Sequence, residues 1–155
     1  MMNSIIKENG VTFKELEKNI FAWICQIGRK FTKEFMERYD RMLMENRDKK
    51  KYRNKGTRQT TIKTVYGEVT YQRTVYKVTE EDGTKRFVYL LDETLDLDHT
   101  GLISTNMAEL LVKGITELSY RECASQVSEM TGQTISAMGV WNVIQALGEK
   151  VCEEE

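Results

Sequence analysis

Hydrophobic residues recur every three or four positions through the first third of the chain, a spacing that predicts one amphipathic α-helix. The predicted helix runs from Phe13 to about Tyr52. No helix-breaking residue occurs before Gly56, so we expect roughly 40 helical residues that continue into a basic segment. A helix of this length is rarely covered by a single domain, which favours a partner helix or self-association. The apolar face comprises Phe13, Leu16, Ile20, Trp23, Ile27, Phe31, Phe35, Tyr39 and Met42.

Capping signals mark the start of this helix. Thr12 and Glu15 have the spacing of a capping box, in which each side chain accepts the backbone N–H of the other residue, and Val11 and Leu16 occupy the hydrophobic-staple positions. The apolar steps alternate between three and four at first and then drift to repeated fours. They therefore do not establish a strict two-stranded coiled coil.

From about Thr60 to Leu91 the residue types change to those of β-strands, with many Thr, Val, Ile and Tyr. Gly67 marks one turn, and Asp82-Gly83 is a strong hairpin signal. The run RFVYLL predicts a strand buried on both faces. We expect a three-stranded antiparallel meander that needs a helix against its apolar face. In the second strand, alternation places Val69, Tyr71 and Val75 on one face and Thr70, Gln72 and Thr74 on the other.

Helical spacing returns in the last third of the chain and predicts three short helices. Each helix has an N-cap candidate, and the second has a complete capping box with Glu122. Thr131-Gly132 ends the second helix, with glycine available for a left-handed conformation. The predicted N-caps are Ser104, Ser119 and Ser136, and the predicted helix ends lie near Leu118, Met130 and Leu147.

These patterns together predict an α+β fold: a long N-terminal helix, a three-stranded antiparallel meander and a C-terminal helix-turn-helix-like helical bundle. Residues 1–58 contain the long helix ending in the basic segment. Residues 59–100 contain the meander and residues 101–155 the helix-turn-helix-like helices.

The composition excludes several classes of protein. The chain has 155 residues, 40% hydrophobic and 30% charged, which is typical of one soluble globular domain. No apolar run approaches the roughly 18 residues of a membrane span. Cys25, Cys123 and Cys152 contain no CxxC pair, which argues against a disulfide framework and a standard zinc site. With no secretory signal in the first residues, we expect a cytoplasmic protein without membrane contact.

The formal net charge of −1 hides a strong asymmetry along the chain. Residues 1–91 carry 20 basic and 12 acidic side chains, a balance of +8, whereas residues 92–155 carry 3 and 12, a balance of −9. The cations are concentrated in residues 47–58 (RDKKKYRNKGTR), where seven are opposed by Asp48 alone. This asymmetry indicates two surfaces with different partners.

The last two predicted helices have helix-turn-helix spacing: a capped helix, a short glycine-containing turn and a second helix about three residues later. Small Ala124 falls where the helices would cross, and Val127, Val140 and Ile144 would fill the core between them. This second helix has no Lys or Arg before Lys150, so a purely structural helical hairpin is an open alternative. In a DNA-reading unit its start would offer the major groove Ser136, Ala137, Met138, Asn142 and Gln145.

The basic segment can supply the missing positive charge. Its cations can neutralise phosphates, and the interspersed Tyr52, Tyr66 and Tyr71 can stack on bases. The alternative is a solvated connector between helix and sheet. The candidates for phosphate contact are Arg47, Lys49, Lys50, Lys51, Arg53, Lys55 and Arg58, and those for base contact are Ser136, Met138 and Asn142.

No group of residues in the sequence assembles an active site. The carboxylates Asp92, Glu93, Asp96 and Asp98 lack the glycine and terminal glutamate of a calcium loop, which favours a solvated acidic loop. His99 has no Ser or Cys arranged as a triad partner. Phosphate-loop, dinucleotide, zinc-protease and nucleophile-elbow motifs do not occur. We therefore predict no catalytic residue, metal ligand or cofactor in this chain.

Four blocks occur in an order that resembles a known family. They are YRNKGTRQTTIKTVYGEVTYQRTVY (residues 52–76), VYLLDETL (88–95), ELSYRECASQVSEMTGQTIS (117–136) and VWNVIQALGE (140–149). Over about residues 34–155 the chain resembles the N-terminal portion of ISLre-two family insertion-sequence transposases, formerly an uncharacterised protein family. The resemblance implies a DDE-type enzyme that cuts and rejoins DNA with a carboxylate triad and two metal ions, Mg²⁺ or Mn²⁺.

In that family the catalytic domain lies downstream of these blocks, and Asp92, Asp96 and Asp98 match none of its catalytic positions. The combined prediction is therefore the DNA-binding and assembly region of such a transposase. Its expected partners are double-stranded DNA at the ends of a mobile element and further copies of itself. The alternative is a non-catalytic helical dimerisation or interaction module without DNA binding of its own.

Overall fold

The computed structural model describes residues 12–80, 82–97 and 103–154, with side chains up to residue 149. It has the α+β fold that the sequence predicts. The elements in chain order are α1 (Phe13–Asn46), β1 (Arg53–Thr64), β2 (Gly67–Thr79), β3 (Lys85–Val88), α2 (Leu90–Leu95), α3 (Thr105–Ile115), α4 (Tyr120–Thr131) and α5 (Ala137–Glu154).

The first helix begins as predicted and ends earlier. The Thr12–Glu15 capping box is present, while the staple residue Val11 lies outside the described residues. Helix α1 has 34 residues and stops at Asn46, so the prediction that it continues through the basic segment is wrong. The reason is local: the Asp48 carboxylate accepts the backbone N–H of Lys50 at 2.8 Å, a turn that competes with helical hydrogen bonds.

The three strands form one antiparallel sheet in the order β1-β2-β3. The β1–β2 turn closes at Thr64↔Gly67, and Gly67 has a φ of +123°, which favours glycine. Asp82 stabilises the next turn, because its carboxylate accepts the Thr84 N–H at 2.8 Å. The strand predicted over RFVYLL is confirmed for residues 86–88 only, because β3 ends at Val88 and α2 follows. The prediction that it is buried on both faces is wrong, since Arg86 and Phe87 are exposed. A short apolar run does not by itself distinguish a strand from a buried helix.

Helix α1 covers the part of β2 that β3 does not reach. Strand β3 pairs only with residues 76–79, which leaves backbone N–H groups of β2 without a strand partner. Glu37 Oε1 accepts the Gln72 N–H at 3.1 Å, and Asp40 Oδ1 accepts the Thr74 N–H at 3.0 Å. These two carboxylates close the strand edge. They also bury Thr74, although alternation places it with the exposed Thr70 and Gln72, on the face opposite to Val69 and Tyr71.

The buried residues form three clusters. Alternation in β2 correctly predicts that Val69, Tyr71 and Val75 are buried. The cluster between α1 and the sheet is Met36, Ile62, Val69, Tyr71 and Leu91. A small cluster at the other end of the sheet is Tyr76, Val78 and Val88. The largest joins the C-terminal helices and is Met107, Leu111, Cys123, Ala124, Val127, Ile135 and Val140.

The apolar face predicted for α1 is not the face that packs on the sheet. The buried residues of α1 are Met36 and Asp40. By contrast, Phe13 is 77% exposed and Phe31 is 69% exposed. Periodicity correctly indicates an amphipathic helix, but the packed face includes polar and small residues, and most of the apolar face stays in contact with solvent.

Helices α3, α4 and α5 form the predicted helix-turn-helix arrangement. Ser104 caps α3, the Ser119–Glu122 capping box opens α4, and Gly132 ends α4 with a φ of +66°. Helix α3 ends at Ile115, before the predicted Leu118, and α5 continues beyond Leu147 to Glu154. A hydrogen bond from Ser119 holds the pKa of the Glu122 carboxyl below its ordinary value, whereas burial raises the pKa of the Cys123 thiol.

Gly114 marks a close approach between α3 and α4. A Cβ at this position would lie 2.6 Å from Sγ of the buried Cys123. We expect Gly114→Ala to lower the free energy of unfolding by about 1–3 kcal/mol, measured by urea denaturation, because the well-packed interior must shift. Gly148→Ala in α5 meets open space and is the matched control, with an expected gain of about 0.5–1 kcal/mol. Equal stabilisation by both substitutions would contradict the close approach.

Candidate nucleic-acid interface

The first part of the basic segment is a solvent-exposed turn between α1 and β1. Lys49, Lys50 and Lys51 are all exposed. The carboxylate of Asp48, the acidic residue in this segment, accepts the backbone N–H groups of Lys50 and Lys51. The ammonium group of Lys51 lies 5.3 Å from the centre of the Tyr52 ring. The turn therefore exposes its three lysine side chains to solvent, while the Asp48 carboxylate stabilises the backbone of the turn.

The second part of the basic segment is the exposed start of edge strand β1. Arg53, Lys55 and Arg58 are exposed, and a bulge at Gly56, with a φ of +97°, separates them into two groups. Arg53 lies opposite Lys77 of β2, so two cations share one face of the sheet. None of the ion pairs among the described residues involves Lys49, Lys50, Lys51, Arg53, Lys55 or Arg58.

Arg47 differs from the other predicted phosphate contacts because its guanidinium is used within the chain. It is half-buried and donates hydrogen bonds to the carbonyl oxygens of Met44 and Tyr52, the second at 3.1 Å. It also lies 5.5 Å from the centre of the buried Tyr76 ring. Arg47 thus ties the end of α1 to the sheet.

The start of α5 exposes a mixed face. Ser136 Oγ accepts the Gly139 N–H at 3.0 Å, so this hydroxyl caps the helix. Asn142 is exposed, and Met138 is 65% exposed. Between them Trp141 remains accessible and contributes to a shallow apolar groove of about 320 Å³ lined by Tyr120, Ala137, Met138 and Trp141.

The structure does not bring the basic segment and α5 together. The ten residue-to-residue steps from Arg53 to Lys63 span about 33 Å along β1, and the five steps from Arg58 to Lys63 span about 16 Å. At the Lys63 end the strand docks onto the helix-turn-helix unit: Lys63 Nζ donates to the Thr134 carbonyl at 2.6 Å, and Gln133 Nε2 donates to the Thr64 carbonyl at 2.5 Å. Residues 49–53 therefore lie at the end of β1 opposite to the docked helices, and the length of strand from Arg53 to Lys63 is close to one turn of B-DNA, about 34 Å.

A second cationic surface, which the sequence patterns did not predict, lies at the Lys63 end of the sheet. It is a groove of about 300 Å³ between α1 and β2, lined by Gln26, Arg29, Lys30, Lys33, Glu68, Val69 and Thr70. We call it the α1–β2 groove. Its carboxylate, Glu68, lies 3.2 Å from Lys63 Nζ, which also reaches Thr134 two residues before Ser136. The groove therefore lies beside the end of β1 that contacts Thr134, because its residues Glu68, Val69 and Thr70 pair with residues 61–63.

The sequence contains the basic residues of this groove, but acidic residues at helix-pairing distance suggested that their charge is neutralised. Lys33 is four residues before Glu37, a spacing that normally pairs opposite charges on one helix face. In the structure Glu37 instead accepts the Gln72 N–H. Lys33 is left exposed beside the groove.

The acidic residues after β3 are engaged by nearby arginines. The Asp92 carboxylate pairs with Arg73, and Glu93 lies 3.6 Å from Arg86. The prediction of a solvated loop is wrong for Asp92, which is buried, and both residues lie in α2, where Glu93 is exposed. Asp98 and His99 lie outside the described residues. Over residues 12–80, 82–97 and 103–149, no three His, Cys, Asp or Glu side chains are grouped closely enough to hold a metal ion.

Within the helices that the structure describes, none is both long and apolar enough to cross a membrane.

Comparison with known proteins identifies the family. The family model described as Uncharacterised protein family (UPF0236) matches residues 6–154. A UPF0236 protein of Caldanaerobacter subterraneus subsp. tengcongensis is 30% identical across the whole chain, which covers 32% of that protein. Another UPF0236 protein of that organism is 29% identical over 94% of the chain, which covers 30% of its length. The chain thus spans about a third of the length of these curated relatives.

No solved structure gives a significant match to the chain. The family model, by contrast, covers nearly the whole sequence. On that match, and on the identity to relatives along its full length, the chain belongs to the UPF0236 family.

Proposed function

We propose that this chain is the DNA-binding and assembly region of a DDE-type transposase that recognises the ends of a mobile element. The observation that carries the proposal is the row of six exposed cations at positions 49, 50, 51, 53, 55 and 58, which form no ion pair with any residue that the structure describes. Six cations on a turn and an edge strand match the repeating negative charge of a nucleic-acid backbone. The ISLre-two resemblance of the sequence supplies the reaction class.

The copy number of a relative supports a mobile element. The name of one C. subterraneus relative joins eleven locus designations. Many copies of one coding sequence in one genome are expected for an element that inserts itself at new sites. We extend this property to the present chain as part of the proposal.

The separation between the two contact regions defines the proposed binding mode. Residues 49–58 contact phosphates at one end of β1, and α5 enters a major groove near the other end, with Met138 and Asn142 at the base edges. The α1–β2 groove holds the backbone beside α5, because Arg29, Lys30 and Lys33 supply the positive charge that α5 lacks. Ser136 contributes by capping α5 and by presenting its hydroxyl at the helix start.

Catalysis in this proposal belongs to a part of the protein outside this chain. Asp92 and Glu93 are paired with arginines and are not arranged as a metal-binding triad. We therefore place Mg²⁺ or Mn²⁺ in the catalytic domain of the parent protein, with the reaction in the cytoplasm.

Replacing Lys49, Lys50 and Lys51 by Ala is expected to weaken duplex binding on the order of 100-fold at 0.1 M salt and to lower the salt-dependence slope by up to about three units. Fluorescence anisotropy titrations of labelled duplex at several salt concentrations measure both quantities. A triple replacement of Lys14, Lys18 and Lys113, which are exposed and lie outside both cationic regions, removes the same charge and is the control. Equal losses of affinity in the two triple variants would show that only net charge matters. That result would overturn the assignment of residues 49–51 as phosphate contacts.

A second candidate function is an interaction module without DNA binding of its own. The apolar groove of Tyr120, Ala137, Met138 and Trp141 favours it, because exposed apolar surface on a helix is typical of protein contacts. Absence of duplex binding by the unmodified chain even at low salt would select this function over the first.

A further inference from the structure

Helix α1 carries a long apolar stripe that nothing in the described structure covers. Six large side chains on one side of the helix are exposed between 43% and 77%: Phe13, Ile20, Ile24, Phe31, Phe35 and Met42. At 1.5 Å per residue the stripe extends about 44 Å. With Trp23 and Ile27 it presents roughly 800 Å² of apolar surface, if each fully exposed side chain offers about 200 Å². Monomeric proteins rarely expose a patch larger than about 600 Å².

We infer that this stripe is the contact surface for a second copy of the same chain, with the two α1 helices antiparallel. The area is the first argument. Pairing two stripes would remove roughly 1,600 Å² in total, the size of a standard stable protein interface. This inference does not rest on DNA binding.

The spacing of the stripe is the second argument. The six residues lie symmetrically about the midpoint between Ile27 and Gly28, because 13 and 42, 20 and 35, and 24 and 31 each add to 55. A two-fold axis through that midpoint brings each apolar residue opposite another one on the partner. Because both copies use the same surface, the association stops at two chains.

The anchoring of α1 is the third argument and selects the antiparallel orientation. The hydrogen bonds that tie α1 to the sheet come from its second half, including Thr32 to Tyr66 at 2.5 Å and Asp40 to Thr74. In the first half, every side chain from Phe13 to Ile27 is exposed except Leu16 and Cys25, which are half-buried. Antiparallel pairing lays this first half along the sheet-anchored half of the partner helix, whereas parallel pairing leaves the two first halves packed only on each other.

Chain mass by light scattering or sedimentation equilibrium tests the association. We expect a dimer, and we expect the double variant Ile24→Glu with Phe31→Glu to weaken its dissociation constant by about 100-fold or more, since carboxylates would be buried without partners. Phe87→Glu, at a 65% exposed position on β3, is the matched control and should dimerise like the unmodified chain. Because all three side chains are exposed, far-ultraviolet circular dichroism should be unchanged. A monomer at about 100 μM, or undiminished dimerisation of the double variant, would overturn the inference.

Cysteine cross-linking tests the orientation. In a background with Cys25 and Cys152 replaced by Ser, antiparallel pairing places position 24 beside position 31 of the partner, so Ile24→Cys with Phe31→Cys should form a disulfide-linked dimer under mild oxidation. Each single variant should stay unlinked, because its two copies would be seven residues, about 10 Å, apart along the axis, and a disulfide needs Cα atoms within about 7 Å. Linking of either single variant would show parallel pairing.

Discussion

Reversing the three cations of the α1–β2 groove, by Arg29→Glu, Lys30→Glu and Lys33→Glu together, is expected to weaken duplex binding about 1,000-fold at 0.1 M salt. Each neutralised phosphate contributes about 0.9 to the slope of log affinity against log salt, so three contacts are worth roughly 500-fold at 0.1 M relative to 1 M. Repulsion between glutamate and phosphate adds to that loss. The expected effect exceeds that of the alanine variants at residues 49–51, because charge is reversed as well as removed.

The readout is a set of anisotropy titrations across salt concentration, with the control matched in charge. Lys14→Glu, Lys18→Glu and Lys113→Glu change the net charge by the same amount, at exposed positions outside the groove. All six side chains are exposed, so urea denaturation should show similar stability for the two triple variants. The groove has no role in DNA binding if the two variants lose affinity to the same extent at every salt concentration.

A second comparison separates the two cationic regions. If duplex spans both, the losses from the groove variant and from the variant at residues 49–51 should add in free energy, because the two sites lie far apart and share no partner. If DNA contacts only one end of β1, one of the variants should bind like the unmodified chain. This pattern decides whether the 33 Å length of β1 is part of the binding mode.

Features that depend on neighbouring residues were predictable from the sequence. The capping boxes at Thr12 and Ser119 each need two residues three positions apart, and both are present. Gly67, Gly83 and Gly132 have positive φ at the turns and helix end where the sequence placed them. Such signals are local, so distant packing does not override them.

Features that depend on which helices and strands pack against each other were not predictable from neighbouring residues in the sequence. Periodicity shows that α1 has an apolar face, but it does not show that the sheet packs on a different face around Met36. The partner of Asp40 is 34 residues away in β2, so no spacing rule identifies it as a buried carboxylate. The groove combines Arg29 and Lys33 with Glu68, which come together only when α1 packs beside β2.

The distribution of charge along the sequence also does not show how far apart the charged residues lie in the folded chain. The basic segment and α5 were expected to act on one stretch of DNA, and that expectation remains a proposal. Because β1 is an extended strand, its length separates Arg53 from the helix contact at Lys63 by about 33 Å. The cations of the α1–β2 groove are supplied by α1, whose sequence has almost as many acids as bases, so composition alone did not reveal them.

Asp40→Ala is expected to lower the free energy of unfolding by about 2–4 kcal/mol. The Asp40 carboxylate is 5% exposed and accepts three hydrogen bonds from one residue: two from the Thr74 N–H, at 3.0 and 3.1 Å, and one from the Thr74 hydroxyl at 2.6 Å. Removing it leaves a buried backbone donor and a buried hydroxyl without an acceptor, and each unsatisfied group costs about 1–3 kcal/mol. The loss should appear as a lower urea midpoint with an unchanged denaturant slope.

Glu37→Ala is the matched control for Asp40→Ala, because Glu37 lies on the same helix and accepts the N–H of Gln72 two residues earlier on the same strand. Gln72 is exposed, so water can replace the lost acceptor, and we expect a loss below about 1 kcal/mol. Thr74→Val removes only the hydroxyl and should fall between the two. The double variant Asp40→Ala with Thr74→Val should lose less than the sum of the single losses, because the shared hydrogen bond is counted once. Equal losses of unfolding free energy in Asp40→Ala and Glu37→Ala would contradict this explanation. They would show that burial by α1 does not make the Asp40–Thr74 contact worth more than the exposed Glu37–Gln72 contact.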